Sequence, residues 1–233
     1  KEEEGLAKEM LSFEGFNLVG EMAAGLAHEI RNPLTTVRGF LQLYKSKRNF
    51  LKERERFDLM ISELDKANAI ISDLLLLARN RIVRLKLQNL NSIIETVFPL
   101  LQRDARRQNM TLKLDLTVVP DILLDEREIS RLIINLARNG FEAMAPGGSL
   151  TIGTCLEEKE LVLSVKDKGQ GMAPAILKNL GTPLTTTKRD GAGLGLGLAT
   201  CFSIAARHEA KINVVSGSGG TTVYVRFRIR SDR

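Results

Sequence analysis

A histidine and a glutamate stand side by side in the stretch GLAHEIRNP, and their types suggest chemistry. His28 is one of only two histidines in the chain, and Glu29 and Asn32 follow it within about one helical turn. Imidazole titrates near pH ~6.5, so much of it is neutral and nucleophilic at neutral pH. A single histidine on an exposed helix face is usually idle surface, so the meaning of His28 depends on the other motifs.

Two asparagines, Asn135 and Asn139, lie four residues apart in NLARNGFEAM, on one face of a predicted helix. A carboxamide oxygen is a neutral hard ligand, and it suits a Mg²⁺ ion that already carries phosphate oxygens and waters. Asparagines within helices usually only face solvent, so a metal role for Asn139 and a solvated surface are both open at this point.

The segment DKGQG follows an apolar predicted strand and contains Asp167, Gly169 and Gly171. An aspartate at a strand end can accept a hydrogen bond from an exocyclic amine, which would distinguish adenine from guanine. Glycines let a backbone approach a flat ring closely. The same pattern also describes an ordinary turn.

A run of alternating glycines in GAGLGLGLA, namely Gly191, Gly193, Gly195 and Gly197, leads into a predicted helix. Backbone N–H groups at a helix start form an anion site that suits phosphates. Lys188, in the preceding polar stretch TPLTTTKRDG, is placed to meet a phosphate, which favours a lid that orders over a nucleotide. The alternative is a flexible loop followed by close helix packing.

Two amphipathic helices would position His28. Their apolar stripes follow a heptad spacing, and they run through Val19, Ala23, Leu26, Ile30, Pro33, Val37, Phe40 and Tyr44, and then through Phe57, Ile61, Leu64, Asn68, Ile71, Leu75, Ala78 and Ile82. His28 points away from the first stripe, toward water. The polar stretch KSKRNFLKERER predicts a turn between the helices. Further apolar residues, Leu34, Leu41, Leu74 and Leu77, predict a second hairpin and hence a dimeric four-helix bundle.

The second half of the chain mixes helices with mostly antiparallel strands. Helical patterns are NSIIETVFPLLQRDARRQ, DEREISRLIINLARNGFEAMA and LGLATCFSIAARHE, and strand patterns are MTLKLDLTV, GSLTIGTCLEE, ELVLSVKDKG, AKINVVSG and TTVYVRFRIR. The fold class is therefore α+β, with the helical hairpin followed by an α/β sandwich. The segment NRIVRLKLQNLN between the halves breaks the helical period and is interpreted as a connector. His208, at the end of a helix where a cation is favourable, is interpreted as structural.

The composition of the chain limits the kinds of partner and the compartment that can be expected. The net charge is +6, but acidic and basic residues alternate, tryptophan is absent and aromatics are few, so no nucleic-acid role is expected. Cys155 and Cys201 lie in unrelated parts of the sequence, which suits free thiols in a reducing compartment. Both have apolar neighbours and are interpreted as small buried hydrophobic residues. No run of ~18 apolar residues is found, so a membrane is expected only through a region that this sequence lacks. The fragment is expected to be cytoplasmic. A membrane anchor in its full-length parent is left open.

The order of the motifs in the second half carries a resemblance. An asparagine helix, then DKGQG, then a lid ending in GLGLGL resembles the ATP-binding fold shared by histidine kinases, DNA gyrase, mismatch-repair ATPases and heat-shock chaperones. SGSGGTTVYV, with Thr221, matches the last glycine motif of that fold. The resemblance covers roughly Leu90 to Arg230 and implies ATP and Mg²⁺ as cofactors.

In the first half, HEIRNP is similar to the phosphoacceptor box of sensor histidine kinases, and it precedes the ATP-binding segment in the right order. The resemblance implies that His28 takes the γ-phosphoryl group of ATP while Glu29 hydrogen-bonds the other ring nitrogen. It also implies that Asn32 orients a water that hydrolyses the phosphoryl group on the partner regulator. The implied domains are a linker helix (1–15), a dimerisation and phosphotransfer domain (16–82), a linker (83–90) and a catalytic domain (91–233).

The stretch AGLAHEIRNPLTTVRGFLQL looks most like the sporulation kinases of endospore-forming bacteria. That resemblance implies transfer to an aspartate of a response regulator receiver domain, a homodimer through the hairpin, and a small inhibitor protein that grips the hairpin. The lid departs from the family, because Leu184 and Thr185 stand where a phenylalanine pair is usual, which puts the docking of the lid in doubt.

Two rival functions would share parts of this sequence pattern. An ATP hydrolase of the gyrase type would have a glutamate one turn before the metal-binding asparagine, but Asn135 stands there and cannot act as a base. A degenerate scaffold that only binds regulators is disfavoured by the intact His28, Asn139 and Asp167.

Overall fold

A computed structural model of the chain describes residues 30–78, 83–173, 177, 180 and 196–229. The chain divides into two compact units, and the division falls between Arg81 and Ile82. The finer limits that the sequence suggested for the domains stay predictions. Among the described helices, none has both the length and the apolar character that a membrane span needs.

The first unit contains a helical hairpin. Helix α1 is described over residues 30–46, a 3-10 turn spans Arg48–Glu53, and α2 spans Arg54–Ala78. At the turn, the rings of Tyr44, Phe50 and Phe57 form a cluster with centroids 5.5–6.5 Å apart. This cluster closes the end of the hairpin, where the sequence predicted only a polar turn.

Two ion pairs join α1 to α2. Arg38 Nε lies 2.7 Å from Asp65 Oδ1, and Lys45 pairs with Asp58. The two cations are seven residues apart on α1, and the two carboxylates are seven residues apart on α2. Because seven residues are two helical turns, both pairs fit one antiparallel register of the hairpin.

Before the turn, the apolar stripe predicted for α1 is exposed rather than packed on α2 of the same chain. Its members Val37 and Phe40 are exposed, whereas Leu34 and Leu41, each one position after a stripe member, are half-buried. Only at the turn does a stripe member, Tyr44, contact Phe57 of α2. Positions one residue apart are rotated by about 100° around a helix, so the predicted stripe lies beside the contact rather than on it. The hairpin therefore leaves an apolar strip open along α1.

The second unit contains three described helices and seven strands. The helices are α3 (Leu90–Arg107), α4 (Glu126–Glu142) and α5 (Leu196–Arg207). The strands are β1 (Lys86–Gln88), β2 (Thr111–Leu116), β3 (Ile122–Leu124), β4 (Ser149–Glu157), β5 (Glu160–Lys166), β6 (Lys211–Gly217) and β7 (Gly220–Arg228). The larger strands and all three helices match the patterns read from the sequence.

Five strands form one sheet in the order β2-β4-β5-β7-β6. β2 is parallel to β4, and the other neighbours are antiparallel. The helices pack on one face of the sheet, where their apolar stripes meet the inward residues of the strands in one core. Its largest fully buried members include Leu90, Leu101, Ile129, Leu132, Phe141, Ile152, Leu161 and Phe227.

The connector predicted over Asn80 to Asn91 contains a strand. β1 pairs with β3 in an antiparallel ladder, with Leu87 opposite Leu123. Asn89 then caps α3, since its Oδ1 accepts from the amide of Asn91 at 3.1 Å. Part of the predicted linker thus belongs to the second unit. The sequence did not predict this, because a strand of three residues is too short to show a periodic pattern.

His208 follows α5 and has a fully buried side chain. Its Nδ1 donates to the carbonyl of Ile204 at 2.9 Å, and its Nε2 accepts from the amide of Asp125 at 3.1 Å. Both ring nitrogens are thus occupied by contacts within the second unit. The structural role that the sequence suggested for His208 agrees with this buried, hydrogen-bonded ring.

Candidate functional site

The structure describes eight of the candidate site residues named from the sequence. They are Asn32 on α1 and Asn135, Asn139, Asp167, Gly169, Gly171, Gly197 and Thr221 in the second unit. His28, Glu29, Lys188, Gly191, Gly193 and Gly195 lie outside the described residues. The nucleotide half of the predicted site can therefore be built from its floor, formed by α4, the end of β5, the start of α5 and the β6–β7 turn.

Asp167 is the centre of this floor. It follows β5 directly and is 6% exposed. Its Oδ1 accepts two hydrogen bonds, from the amide of Gly169 at 2.8 Å and from the amide of Thr221 at 3.0 Å. Its Oδ2 accepts none from the described chain. A carboxylate clamped through one oxygen keeps its orientation, so the other oxygen is left to accept a hydrogen bond from a ligand.

Two contacts hold the Thr221 side of this clamp. The amide of Asp167 donates to the carbonyl of Thr221 at 2.9 Å, which extends the β5–β7 pairing by one step. The hydroxyl of Thr221 shares a 2.8 Å hydrogen bond with that of Ser216, and Ser216 Oγ also accepts from the amide of Met172 at 2.8 Å. The last glycine motif and the DKGQG segment are thus one hydrogen-bonded assembly.

Glycines are required where backbone segments meet in this assembly. Gly171 has a φ of +74°, and a Cβ built on it would lie 2.1 Å from the carbonyl oxygen of Gly217. A side chain at this position would meet both backbone strain and a steric clash. On the opposite side, a Cβ on Gly140 would lie 2.5 Å from Leu150 Cδ1 and 3.4 Å from Asp167 Cβ, so α4 approaches Asp167 closely only because Gly140 has no side chain.

The asparagine pair meets the start of α5. Asn139 is exposed, and its Oδ1 lies 3.6 Å from where a Cβ on Gly197 would be. Asn135 is half-buried, and its Nδ2 lies 3.5 Å from the carbonyl oxygen of Gly197, at the long limit of a hydrogen bond. The structure therefore brings Asn135 and Asn139 to the helix that ends the glycine run, as the sequence predicted.

A buried ion pair at the far end of α4 and α5 fixes this arrangement. Arg207 bonds both carboxylate oxygens of Glu128, at 2.8 and 3.1 Å, and its Nη1 donates to Ser203 Oγ at 2.6 Å. The contact from Glu128 to Arg207 and the contact from Asn135 to Gly197 run in opposite order along the two helices. α4 and α5 are thus antiparallel, and the bidentate pair sets how they slide relative to each other.

Sequence reasoning missed three residues of the floor: Gly140, Met144 and Ser216. Met144 Sδ accepts from the amide of Lys168 at 3.3 Å, next to Asp167. Gly140 could have been noticed, because a glycine inside a strong helix lowers helix propensity, a cost that needs a reason. Nothing in the local sequence distinguishes Ser216 or Met144 from surface residues.

Asn32 is exposed on α1. Its carbonyl oxygen accepts from Thr36 Oγ1 at 3.0 Å, which anchors the threonine one turn further along. The role of Asn32 in positioning a water stays a prediction.

Comparisons with known families cover both halves of the chain. Residues 18–81 match the His Kinase A (phospho-acceptor) domain, and residues 124–231 match the histidine kinase-, DNA gyrase B- and HSP90-like ATPase domain. The chain belongs to the sensor histidine kinase family. The predicted fold class, a helical hairpin followed by an ATP-binding α/β domain, is confirmed.

Individual relatives show which histidine kinases this core resembles. Sporulation kinase C of Bacillus subtilis (strain 168) is 36% identical over 219 residues, which are 93% of this chain and 50% of that protein. Sporulation kinase A of the same organism is 35% identical over 223 residues, 94% of this chain and 36% of the relative. The chain thus spans half or less of these two relatives.

The expected likeness to the sporulation kinases is confirmed, and the narrower expectation of sporulation kinase B is not resolved. That protein of Bacillus subtilis (strain 168) is 32% identical over 229 residues, 95% of this chain and 52% of the relative. Several sporulation kinases are thus similar to the histidine kinase core at nearly equal identity.

Solved structures share the fold. Full-length ShkA in complex with AMPPNP aligns with a TM-score of 0.75 at 22% identity, over 91% of this chain and 47% of ShkA. The histidine kinase ThkA in complex with the response regulator protein TrrA aligns with a TM-score of 0.65 at 26% identity, over 98% of this chain and 66% of the other.

Proposed function

We propose that this chain is the catalytic core of an ATP-dependent protein histidine kinase that phosphorylates its own His28. The phosphoryl group then passes to an aspartate of a response regulator receiver domain, in a sporulation phosphorelay. The observation that carries the proposal is the clamped Asp167, whose Oδ1 is fixed by two backbone amides and whose Oδ2 is open. An adenine amine is a donor that fits such an oxygen.

The phosphates of ATP would lie toward the start of α5. Asn139 is exposed there beside Gly197, and an amide oxygen suits a Mg²⁺ ion that shares phosphate oxygens. Among the described residues, no group of three or more acidic, histidine or cysteine side chains could hold the ion instead. Bound there, Mg²⁺ would neutralise phosphate charge. Gly169 and Gly171 would line the base, and Lys188 with Gly191, Gly193 and Gly195 would close over the phosphates.

The chemistry assigned to His28 is a phosphoryl transfer in two steps. One ring nitrogen of His28 bonds to the γ-phosphorus as the bond to the β–γ bridging oxygen breaks, and ADP leaves. The N–H of the other ring nitrogen would donate a hydrogen bond to the carboxylate of Glu29, which stabilises the positive charge that develops on the ring. In the second step, a carboxylate oxygen of the regulator bonds to phosphorus, and the phosphorus–nitrogen bond breaks. The exposed position of Asn32 supports a further, phosphatase activity toward the regulator.

The open strip of α1 supports a homodimer through the hairpin. Phe40 is 56% exposed and Leu59, on α2, is 63% exposed, which is costly for apolar side chains unless another surface covers them. A second hairpin would complete a four-helix bundle. The solved ThkA–TrrA complex supports a response regulator as a partner, and the same hairpin would be the surface that a small inhibitor protein grips. The proposal places this core in the cytoplasm, where ATP and the regulator are both present.

An autophosphorylation assay tests the proposal. The chain, incubated with γ-labelled ATP and Mg²⁺, is expected to acquire a label that is stable in base and labile in acid. The variant His28→Gln is expected to bind a fluorescent ATP analogue as the parent does and to acquire no label. Asp167→Asn is expected to lose both nucleotide binding and label.

Other outcomes would replace this function. Release of free phosphate without labelling of the chain would indicate an ATP hydrolase, and neither label nor phosphate would indicate a scaffold. Labelling that persists in His28→Gln would contradict the assigned acceptor.

A further inference from the structure

The face of the five-stranded sheet turned away from the helices carries a polar groove at one end. Its lining, which we call the lysine groove, consists of Lys113 and Asp115 on β2, Ser149 and Thr151 on β4, Lys166 at the end of β5, and Lys168 two residues beyond. The volume of the groove is about 250 Å³. All three lysines are exposed.

Strand register brings these side chains together. Lys113 is the partner of Thr151 in the parallel β2–β4 ladder, and Thr151 is the partner of Lys166 in the antiparallel β4–β5 ladder. The three residues thus form one row across three strands. Neighbouring strands are about 4.8 Å apart, so the two ammonium groups can converge on one point above Thr151.

The central strand gives the groove its depth. At this end of the face, β4 presents the small residues Ser149, Thr151 and Gly153, and Thr151 lies between Lys113 on β2 and Lys166 on β5. The two hydroxyls make no hydrogen bond within the described chain. Hydroxyl donors on a floor between ammonium groups match an anion with several oxygens.

Charge is unbalanced at this end of the sheet. Within the described chain, none of the three lysines has an ion-pair partner, and Asp115 is the one carboxylate in the lining. At the other end of the same face, Arg226 on β7 pairs with both Glu157 and Glu160. Like charges held close together repel, and a bound anion would relieve that repulsion.

We propose that the lysine groove binds a small free oligophosphate anion of the pyrophosphate class. The ammonium groups would contact the phosphoryl oxygens, and the hydroxyls of Ser149 and Thr151 would donate to them. The concave, three-strand width fits a compact anion better than a flat membrane surface. The groove is separate from the nucleotide floor, because Lys166 and Lys168 alternate with Asp167, which is buried on the other side of the sheet.

Equilibrium dialysis of the 233-residue chain with labelled pyrophosphate tests this inference, with saturating AMPPNP present to occupy the nucleotide site. We expect roughly one pyrophosphate per chain, with an affinity that falls as salt rises. The triple variant Lys113→Gln/Lys166→Gln/Lys168→Gln is expected to weaken binding by at least about tenfold. Retained AMPPNP binding reports that the variant is folded.

A matched variant separates the groove from general positive charge. Lys86→Gln/Lys159→Gln/Lys211→Gln removes the same charge from exposed sites elsewhere in the unit, and its affinity should stay within about twofold. Equal loss in both triple variants, or no pyrophosphate binding in the parent chain, would overturn the inference. Groove-dependent binding to phosphatidylglycerol vesicles without binding of free pyrophosphate would overturn it too. None of these outcomes depends on whether His28 is phosphorylated.

Discussion

The two units of the chain bury their apolar side chains in different ways. In the second unit, three helices and the sheet enclose a core whose central members, such as Phe141 and Ile152, are fully buried. In the described part of the hairpin, residues 30–78, every side chain that can be described is at least partly exposed. The second unit thus completes its own core, whereas the hairpin is held by a turn cluster, ion pairs and a surface still to be covered.

One substitution made in both regions would test this comparison most strongly. Phe141→Ala should lower the free energy of unfolding of the second unit by about 3–5 kcal/mol, because it leaves a cavity in a closed core. Phe40→Ala, on the exposed strip of α1, should change the free energy of unfolding of the hairpin by less than about 1 kcal/mol at concentrations where the chain is monomeric. Denaturant unfolding followed by circular dichroism measures both. A similar loss in the two variants would mean that the units do not differ as described.

The second prediction concerns the covering of the open strip. Phe40→Glu should weaken the dimer by at least about tenfold, since a charge would be buried in an apolar contact. Gln42→Glu adds the same charge two residues away, on the opposite side of α1, and should leave dimerisation intact. Sedimentation equilibrium gives the masses. A dimer unaffected by Phe40→Glu would show that the strip is covered by something other than a second hairpin.

The third prediction concerns Asp125, which ties the segment after the unit boundary to the second unit. Its carboxylate caps α4 and also accepts from the amide of Arg84 at 3.0 Å. Burial works to raise the pKa of this carboxyl. Three backbone amides that donate to it, with His208 nearby, outweigh that cause and hold the pKa below its usual range.

A lowered pKa gives the stability contribution a definite pH dependence. The contribution is fully present above the ordinary carboxyl pKa of 3.8 and is lost as pH falls through the lower value of the folded state. Asp125→Ala should therefore cost about 1 kcal/mol at neutral pH, and the difference from the parent should shrink below about pH 4. Asp125→Asn keeps an acceptor without titrating, so it should stay near the parent at neutral pH. A cost that is independent of pH would contradict the assignment.

The smallest expected effect is a gain in stability from a substitution at Thr200. Thr200 on α5 is fully buried, and its hydroxyl has no hydrogen-bond partner within the described chain. Thr200→Val should raise the free energy of unfolding by up to about 1 kcal/mol, because it removes an unsatisfied polar group at nearly constant volume. Cys201→Val, a neighbouring buried substitution of similar size, serves as a control for changes in packing. A loss of stability in Thr200→Val would indicate that the hydroxyl has a partner in solution.

The sequence predicted elements with long periodic patterns and motifs that keep their order. The helices around Asn135 and Asn139 and the strand that leads into Asp167 fall where expected, because local periodicity reports them directly. β1 and β3 were not predicted, since their pairing is decided by residues more than thirty positions apart in sequence.

The remaining differences also arise from tertiary contacts. Ser216 links Met172 to Thr221 across a gap in sequence that no local pattern bridges. The contact face of α1 predicted from the sequence lies one residue away from the observed face, because Leu34 and Val37 both fit an apolar face. Only the half-buried state of Leu34 distinguishes the contact within the hairpin from the strip beside it.

The paired charges of the hairpin have a mechanical consequence. Arg38–Asp65 and Lys45–Asp58 share one spacing, so sliding α1 lengthwise along α2 stretches both contacts together. A shift by three residues in either direction would set Arg38 opposite Ser62 or Asn68 instead of a carboxylate. The hairpin therefore resists gradual sliding, and a signal that travels along it is more easily carried by rotation or splaying of the helices.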